Sequence, residues 1–466
     1  MICRIALDNK IIQACFKYGP LLFKYDSIMQ VLKFGGTSVG TADRMKNVFD
    51  LVNDGRQKIV VLSAMAGTTN ELVNITDLLY EGRKKEAAEL IENLRTSYLD
   101  LVNDLLSDDT IKNESREMIE SHFNYINSFT LKVFSKKQEK AILVQGELIS
   151  TALFHSYANE QGTNASLLSA LSFMRIDKDG EPDMFYIKQN LNREIASHAG
   201  SDLIITQGYI CRNAYGEADN LKRGGSDYTA TIIGAILKSE EVQIWTDING
   251  VHNNDPRYVE STSVIRELSF DEAAELAYFG AKILHPTSVI PARDNKIPVR
   301  LKNTMDPDDP GTIITSKLSE GGYKAVAAKD NITVIKIKSD RMLLAYGFLR
   351  KVFEIFEIYK TPIDMITTSE VALSITIDDT SHLNKVVREL QDLGTVEVER
   401  NQTIICVVGD FIAEKAGTTL EIFSALEGIP MRMISYGGSR HNVSILIHSN
   451  HKVQALKSLS KQLFNS

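Results

Sequence analysis

Two short stretches pair a basic side chain with a glycine doublet: Lys33-Phe34-Gly35-Gly36-Thr37-Ser38 and Arg223-Gly224-Gly225-Ser226-Asp227. Glycine lets backbone N–H groups come close to a ligand. The hydroxyls suit a helix N-cap, and the free N–H groups at a helix start attract phosphate. Lys33 adds a point charge able to follow a moving phosphoryl group. Arg223 can clamp a carboxylate with two parallel hydrogen bonds. Asp227 could bind an ammonium, orient a lysine or help a metal. The chemistry within reach is the alignment of anions, one of them a phosphate. The first stretch fits neither a Walker A loop nor GxGxxG. Alone, it is equally well explained as a strand–turn–helix corner carrying a surface lysine.

Further candidates lie at other apparent strand ends. Ser63 to Asn70, with Thr69 among them, is a loop of small and hydroxyl residues after the buried-strand pattern Ile59-Val60-Val61-Leu62. Open α/β sheets bind ligands at such places. Glu147 follows an apolar run and Gly146; it reads first as a helix-start residue and second as a partner for a substrate ammonium. Thr246-Asp247 close the strand Val242-Gln243-Ile244-Trp245, whose tryptophan reads as packing. Lys282 could reach a phosphate, and His285, before Pro286, reads as structural.

These residues need a scaffold, and the chain offers one. Short apolar strands at 31–34, 59–62, 203–210 and 242–245 alternate with helical segments, as in a largely parallel sheet. Residues 71–140 have helical period, with Leu90, Leu94, Leu101 and Leu105 on an inner face. Gly216 to Leu221 reads as a hairpin connection. Ser269-Phe270-Asp271-Glu272 has capping-box spacing and opens a helix running toward Lys282. The punctuation of 305–325 marks a domain edge. Beyond it the order strand, helix, strand, strand, helix, strand repeats. Strands are expected at 332–337, 363–366, 372–377 and 396–398, with a second unit from Thr403 that lacks an obvious last strand. Two ferredoxin-like βαββαβ modules follow from that order.

Composition sets outer limits. A chain of 466 residues should form roughly two to four domains. With 52 basic and 60 acidic residues the net charge is −8, which argues against a nucleic-acid binder. The four cysteines (Cys3, Cys15, Cys211, Cys406) show no metal spacing and read as reduced thiols of a cytoplasmic protein. No apolar run is long enough for a membrane span. Residues 1–28 lack a cleavage pattern and read as an N-terminal extension before Met29.

Taken in order, the two glycine stretches, Trp245-Thr246-Asp247 and Phe279-Gly280-Ala281-Lys282-Ile283-Leu284-His285-Pro286 resemble the motifs of the aspartate kinase (aspartokinase) family, within the amino-acid kinase superfamily. The resemblance runs from Met29 to the C-terminus. It implies an amino-acid-kinase-type open parallel sheet sandwiched by helices over 29–315. Two ACT domains over 326–400 and 401–466 would follow, with strands free to interleave. It implies phosphorylation of L-aspartate by ATP with Mg²⁺, the first step of lysine, threonine and methionine biosynthesis, in a homodimer or homotetramer assembled through the ACT domains.

Carried over by position, Lys33, Phe34, Gly35, Gly36, Thr246, Asp247, His252, Arg257, Lys282 and Ile283 would face ATP. Ser63, Thr69, Glu147, Arg223, Gly225 and Ser226 would hold aspartate, and Asp227 would organise the centre. Met342, Ala345, Gly347, Phe348, Leu349, Asp364, Thr368 and Ser369 align with an effector site for an amino acid, lysine foremost. The chain departs from the family pattern at His252, where relatives often carry tyrosine, and at Ala345, where lysine-inhibited relatives carry serine. Two other readings compete: a kinase of the same fold acting on glutamate or a carbamate, and a non-catalytic amino-acid sensor.

Overall fold

The computed structural model describes residues 29–464 apart from 222–223, 281–283, 318–321, 340–345 and 411. The expected N-terminal extension, 1–28, lies outside them. Sixteen strands follow in chain order: β1 (Gln30–Phe34), β2 (Lys58–Leu62), β3 (Ala165–Leu168), β4 (Leu203–Gln207), β5 (Ile210–Arg212), β6 (Ala218–Asn220), β7 (Val242–Thr246), β8 (Glu267–Ser269), β9 (Val299–Asn303), β10 (Thr312–Thr315), β11 (Gly322–Lys338), β12 (Ile366–Thr368), β13 (Ala372–Ile377), β14 (Thr395–Asp410), β15 (Met431–Tyr436) and β16 (Asn442–His448).

The first sheet has eight strands in the order β3-β4-β2-β1-β7-β9-β10-β8. Its strands run parallel except where β10 meets β9. β2 is buried along its whole length, as a central parallel strand with helices on both faces must be. Strand alternation then sorts β1. Leu32 and Phe34 face a core shared with the helices Ala42–Val52, Thr68–Tyr80, Lys84–Leu105 and Asp109–Ser128. Val31 faces the opposite core, shared with Ala230, Ile232 and Ile233 of the helix Gly225–Leu237. Lys33 has the parity of Val31, so its side chain emerges on the side of that helix.

The second sheet has six strands in the order β12-β13-β11-β14-β16-β15, antiparallel throughout. β11 and β14 are long, with 17 and 16 residues, and pair along nearly their whole length. The ladder slips between Lys329 and Val334, beside Asn331 and Asn401 at φ +62° and +57°. On one side of the slip, Ile335 and Ile337 pack with the helices Phe348–Ile358 and Leu383–Gln391. On the other, Ile405 and Val407 pack with Thr418–Ala425 and Lys452–Phe464. The last strand missing from the second module's sequence is thus the leading half of β11.

Several expected boundaries shift. The strands expected at 396–398 and from Thr403 are one strand, β14. The strand expected at 363–366 begins at Ile366. β6 takes up half of Gly216 to Leu221, and the turn of that hairpin lies at Asn213–Gly216. The capping box at Ser269 and Glu272 forms, but its helix ends at Tyr278.

The two sheets meet closely. Gly280 sits at φ +122°, and a Cβ there would come within 2.2 Å of the Ala328 carbonyl oxygen of β11. Tyr278 donates to Asp364 Oδ1 (3.0 Å), whose carboxylate also binds Lys329 Nζ at 2.6 Å. Among the described residues no helix is long and apolar enough to cross a membrane.

Candidate active site

The C-terminal ends of four parallel strands line up: Phe34 of β1 with Leu62 of β2 and Trp245 of β7, and Leu62 with Gln207 of β4. The chain continues from β1 to β2 on one side, while β7 lies on the other. Ligands settle in the crevice that such a reversal opens. Backbone bonds hold the loops there. Gly35 N–H donates to Trp245 O (3.3 Å), Ser63 N–H to Phe34 O (3.2 Å) and Gly208 N–H to Leu62 O (2.8 Å). A Cβ at Gly36 would meet the Ala64 carbonyl oxygen at 2.7 Å, so the two loops can touch only with glycine there.

A cavity of about 350 Å³ opens at this edge, lined by Lys33, Ser63, Thr69, Glu147, Tyr209, Gly224, Gly225, Ser226 and Asp227. Lys33 Nζ lies 2.6 Å from Asp227 Oδ1. Asp227 is in the first turn of the helix Gly225–Leu237, on the face of the sheet where Lys33 emerges. Ser63 Oγ donates to Ser226 Oγ (3.0 Å), and Ser150 Oγ donates to the Ser63 carbonyl (3.0 Å). The cavity therefore joins residues from distant stretches of chain, around 33, 63–69, 147 and 209–227.

Glu147 occupies the first turn of the helix Gln145–Glu160 and is buried. Burial pushes its carboxyl up to about 8, against the opposing pull of backbone N–H groups at Glu147 and Ala64. Its Oε2 has no hydrogen-bond partner among the described residues. Glu147 thus starts a helix, as its first sequence reading expects, and also lines the cavity.

A second cavity, about 410 Å³, lies between the sheets. Ile248, Gly250, His252, Arg257, Leu276 and residues 325–328 of β11 are among its walls. His252 pairs with Thr262 Oγ1 (2.9 Å), and burial holds its imidazole below the usual histidine range. The Arg257 guanidinium reaches back to Asp255 at 2.6 Å. Thr246 Oγ1 donates to Asp247 Oδ1 (3.1 Å) at the end of β7. The Phe34 ring is wholly buried, stacked on Trp245 at 5.6 Å, so Phe34 can offer a ligand only its backbone. His285 caps a short helix by accepting from Thr287 N–H (3.4 Å), in keeping with a structural histidine.

Arg223, Lys282, Ile283, Met342 and Ala345 lie outside the described residues. Of the remaining effector-site candidates, Gly347, Phe348 and Leu349 form the start of the helix Phe348–Ile358. Thr368 ends the exposed strand β12, and Ser369 closes the turn into β13 by accepting from Ala372 N–H (3.1 Å). The Asp364 side chain is 1% exposed and engaged by Lys329. Sequence reasoning missed Tyr209, Ser150 and the β11 segment 325–328. Tyr209 lies two residues past the end of β4, inside the strand expected at 203–210; a run of small residues in a distant strand is no usable signal.

A family model described as the amino acid kinase family matches residues 29–303, and one described as an ACT domain matches 405–463. Lysine-sensitive aspartokinase 3 of Escherichia coli (strain K12) is 34% identical over 447 residues, covering 93% of this chain and 99% of that protein. The chain belongs to the aspartokinase family. A chloroplastic member, aspartokinase 2 of Arabidopsis thaliana, is 32% identical over 468 residues, covering 94% of this chain and 84% of that one. The fold of this aspartokinase-family chain matches E. coli aspartokinase III in complex with aspartate and ADP (R-state) with a TM-score of 0.82, at 34% identity, over 94% of this chain and 100% of that one. The same enzyme in complex with lysine and aspartate (T-state) matches with a TM-score of 0.78.

Proposed function

We propose that this aspartokinase-family chain transfers the γ-phosphoryl group of ATP to the side-chain carboxylate of L-aspartate, giving 4-phospho-L-aspartate and ADP. The carrying observation is the Lys33–Asp227 pair at the mouth of a cavity that also holds Glu147 and Ser63. A carboxylate oxygen forms the new O–P bond, the bond from γ-phosphorus to the bridging oxygen breaks, and its electron pair leaves with ADP. The nucleophile is already ionised at neutral pH, so no general base is needed. The task is to bring two anions together and neutralise the charge that grows between them.

Lys33 meets that charge with its ammonium, and Asp227 positions it. The backbone of Gly35 and Gly36 brings N–H groups to the same corner. Glu147 takes the substrate's ammonium: that cation offsets the cost of a buried carboxylate, so binding itself ionises Glu147. Ser63, Thr69, Gly225 and Ser226 line the aspartate side, and Arg223 would clamp a substrate carboxylate. The second cavity would take the base and ribose, with His252, Arg257, Thr246, Asp247, Lys282 and Ile283 around the nucleotide. Mg²⁺ suits the phosphates it would accompany. Of the two cavity carboxylates, Glu147 is committed to the substrate's ammonium, which leaves Asp227 as the side chain fitted to it; bound there, the ion would supply charge neutralisation.

The product is the first intermediate toward lysine, threonine and methionine, and the ACT sheet is the natural seat of feedback by such an end product, lysine foremost. A dimer or tetramer built through that sheet fits its exposed edge strands β12 and β15. The test is ADP release with L-aspartate and L-glutamate, with hydroxylamine trapping of the acyl phosphate. Aspartate-dependent turnover with a trapped hydroxamate is expected. Faster turnover with glutamate, or ADP release indifferent to aspartate, overturns the assignment.

A further inference from the structure

The reaction makes no use of Glu272, Asp410 and His441, which converge on the seam between the two sheets. One potential ligand atom from each lies within 4.8 Å of the other two. Glu272, in the first turn of the helix Phe270–Tyr278, is 1% exposed. Its Oε2 accepts from Ser269 N–H at 2.7 Å to close the capping box, and its Oε1 has no hydrogen-bond partner among the described residues. Asp410 ends β14, and its Oδ1 is likewise buried and without a hydrogen-bond partner among those residues. His441, 8% exposed, is fixed beside it because its carbonyl accepts from Gly409 N–H at 2.9 Å.

Two carboxylates gathered in a dry seam repel each other and lose hydration, a cost met by a cation or by neutralisation. One helical turn on, Glu275 adds a third carboxylate, which accepts from Asn442 Nδ2. We propose that Glu272, Asp410 and His441 bind a divalent transition-metal ion of the Zn²⁺ or Mn²⁺ class. Bonds of about 2.0–2.2 Å to oxygen and nitrogen are normal for zinc, and small side-chain rotations bring three such atoms into that range. The imidazole decides the class, because Mg²⁺ and Ca²⁺ prefer all-oxygen sets. The ion ties the start of a catalytic-unit helix to the end of a regulatory strand. The same helix contributes Leu276 to the second cavity, so occupancy stiffens one of its walls.

The test uses the full chain, stripped with chelator and free of nucleotide. It is titrated with Zn²⁺ and, as an optical probe, Co²⁺; bound metal is counted by mass spectrometry. A single ion per chain is expected, with a Co²⁺ spectrum showing nitrogen ligation and a rise in Tm on metal addition. His441→Ala and Glu272→Gln should each weaken uptake by at least about tenfold, while Asn442→Ala retains it. Crystals of the unaltered chain soaked in Zn²⁺ decide the matter even if the variants fail to fold. An anomalous peak among the three side chains supports the site. A peak only elsewhere, no uptake by the stripped chain, or uptake unchanged in folded His441→Ala overturns it.

Discussion

The Lys33 ammonium and the Asp227 carboxylate face each other at 2.6 Å across the join of a strand end and a helix start. Their side chains are 13% and 12% exposed, so water screens the pair only partly. Asp227 thus holds the ammonium at the edge of the cavity, where the proposed reaction would pass the phosphoryl group. Lys33→Ala should lower kcat by about 10²- to 10³-fold, the scale of one lost transition-state donor, with an unchanged circular dichroism spectrum. Asp227→Asn should lower it less while leaving Lys33 in place. Steady-state ADP release measures both; a fully active Lys33→Ala enzyme removes Lys33 from the reaction.

Glu147 predicts a pH dependence. Burial pushes its carboxyl up to about 8, so if Glu147 takes the substrate's ammonium as proposed, aspartate displaces a proton on binding below that pH. kcat/KM for aspartate should therefore rise from pH 6.5 toward 8.5, and Glu147→Gln should raise KM and flatten the profile. Stability runs the other way. Between the ordinary carboxyl value of 4.5 and about 8, the unfolded chain has released this proton while the folded chain keeps it, so stability from this group falls as pH rises through that window. Glu147→Gln removes the loss, and its Tm advantage over the unaltered chain should grow from pH 5 to pH 8.

His252 tests the second cavity. Burial favours its neutral ring, so its contribution to nucleotide binding should be flat above pH 7. His252→Tyr keeps an aromatic wall and should change KM for ATP little, whereas His252→Ala should raise it by about tenfold, a loss of roughly 1.4 kcal/mol. KM for aspartate should hardly move in either. Isothermal titration with a non-hydrolysable ATP analogue separates this from an effect on turnover; unchanged affinity in His252→Ala places the nucleotide elsewhere.

Lys329 compensates Asp364 and reaches Asp378 Oδ2 at 2.9 Å as well. Lys329→Met leaves a buried carboxylate without its cation and should destabilise the chain by about 3 kcal/mol, read from urea unfolding. Tyr278→Phe removes only the hydroxyl, which donates to Asp364 and, at 3.5 Å, to the Ile363 carbonyl, so about 1 kcal/mol is expected. Equal costs for the two would show that the lysine secures the seam no more than the tyrosine does.

What the sequence made legible was local. The glycine corners, the strand parity that aims Lys33, and the Ser269–Glu272 capping box each depend on a few adjacent residues. Glu147 stayed ambiguous because a helix-start acid and a cavity acid look alike until β2 and its loop arrive beside them. The β14 strand read as two because Glu399 to Gln402 is polar and charged; Asn401 takes φ +57° there, and the ladder continues. The β11 wall of the second cavity was invisible, since no local pattern tells a strand which distant helix will face it.

β11 and β14 run unbroken through both halves of the regulatory sheet. Cutting the chain near residue 400 would strand the second half without its first partner and leave a bare row of amide groups ready to stick to another copy. Attempts to produce either half by itself should yield aggregates, and a fragment beginning near 322 is the shortest one expected to stay in solution.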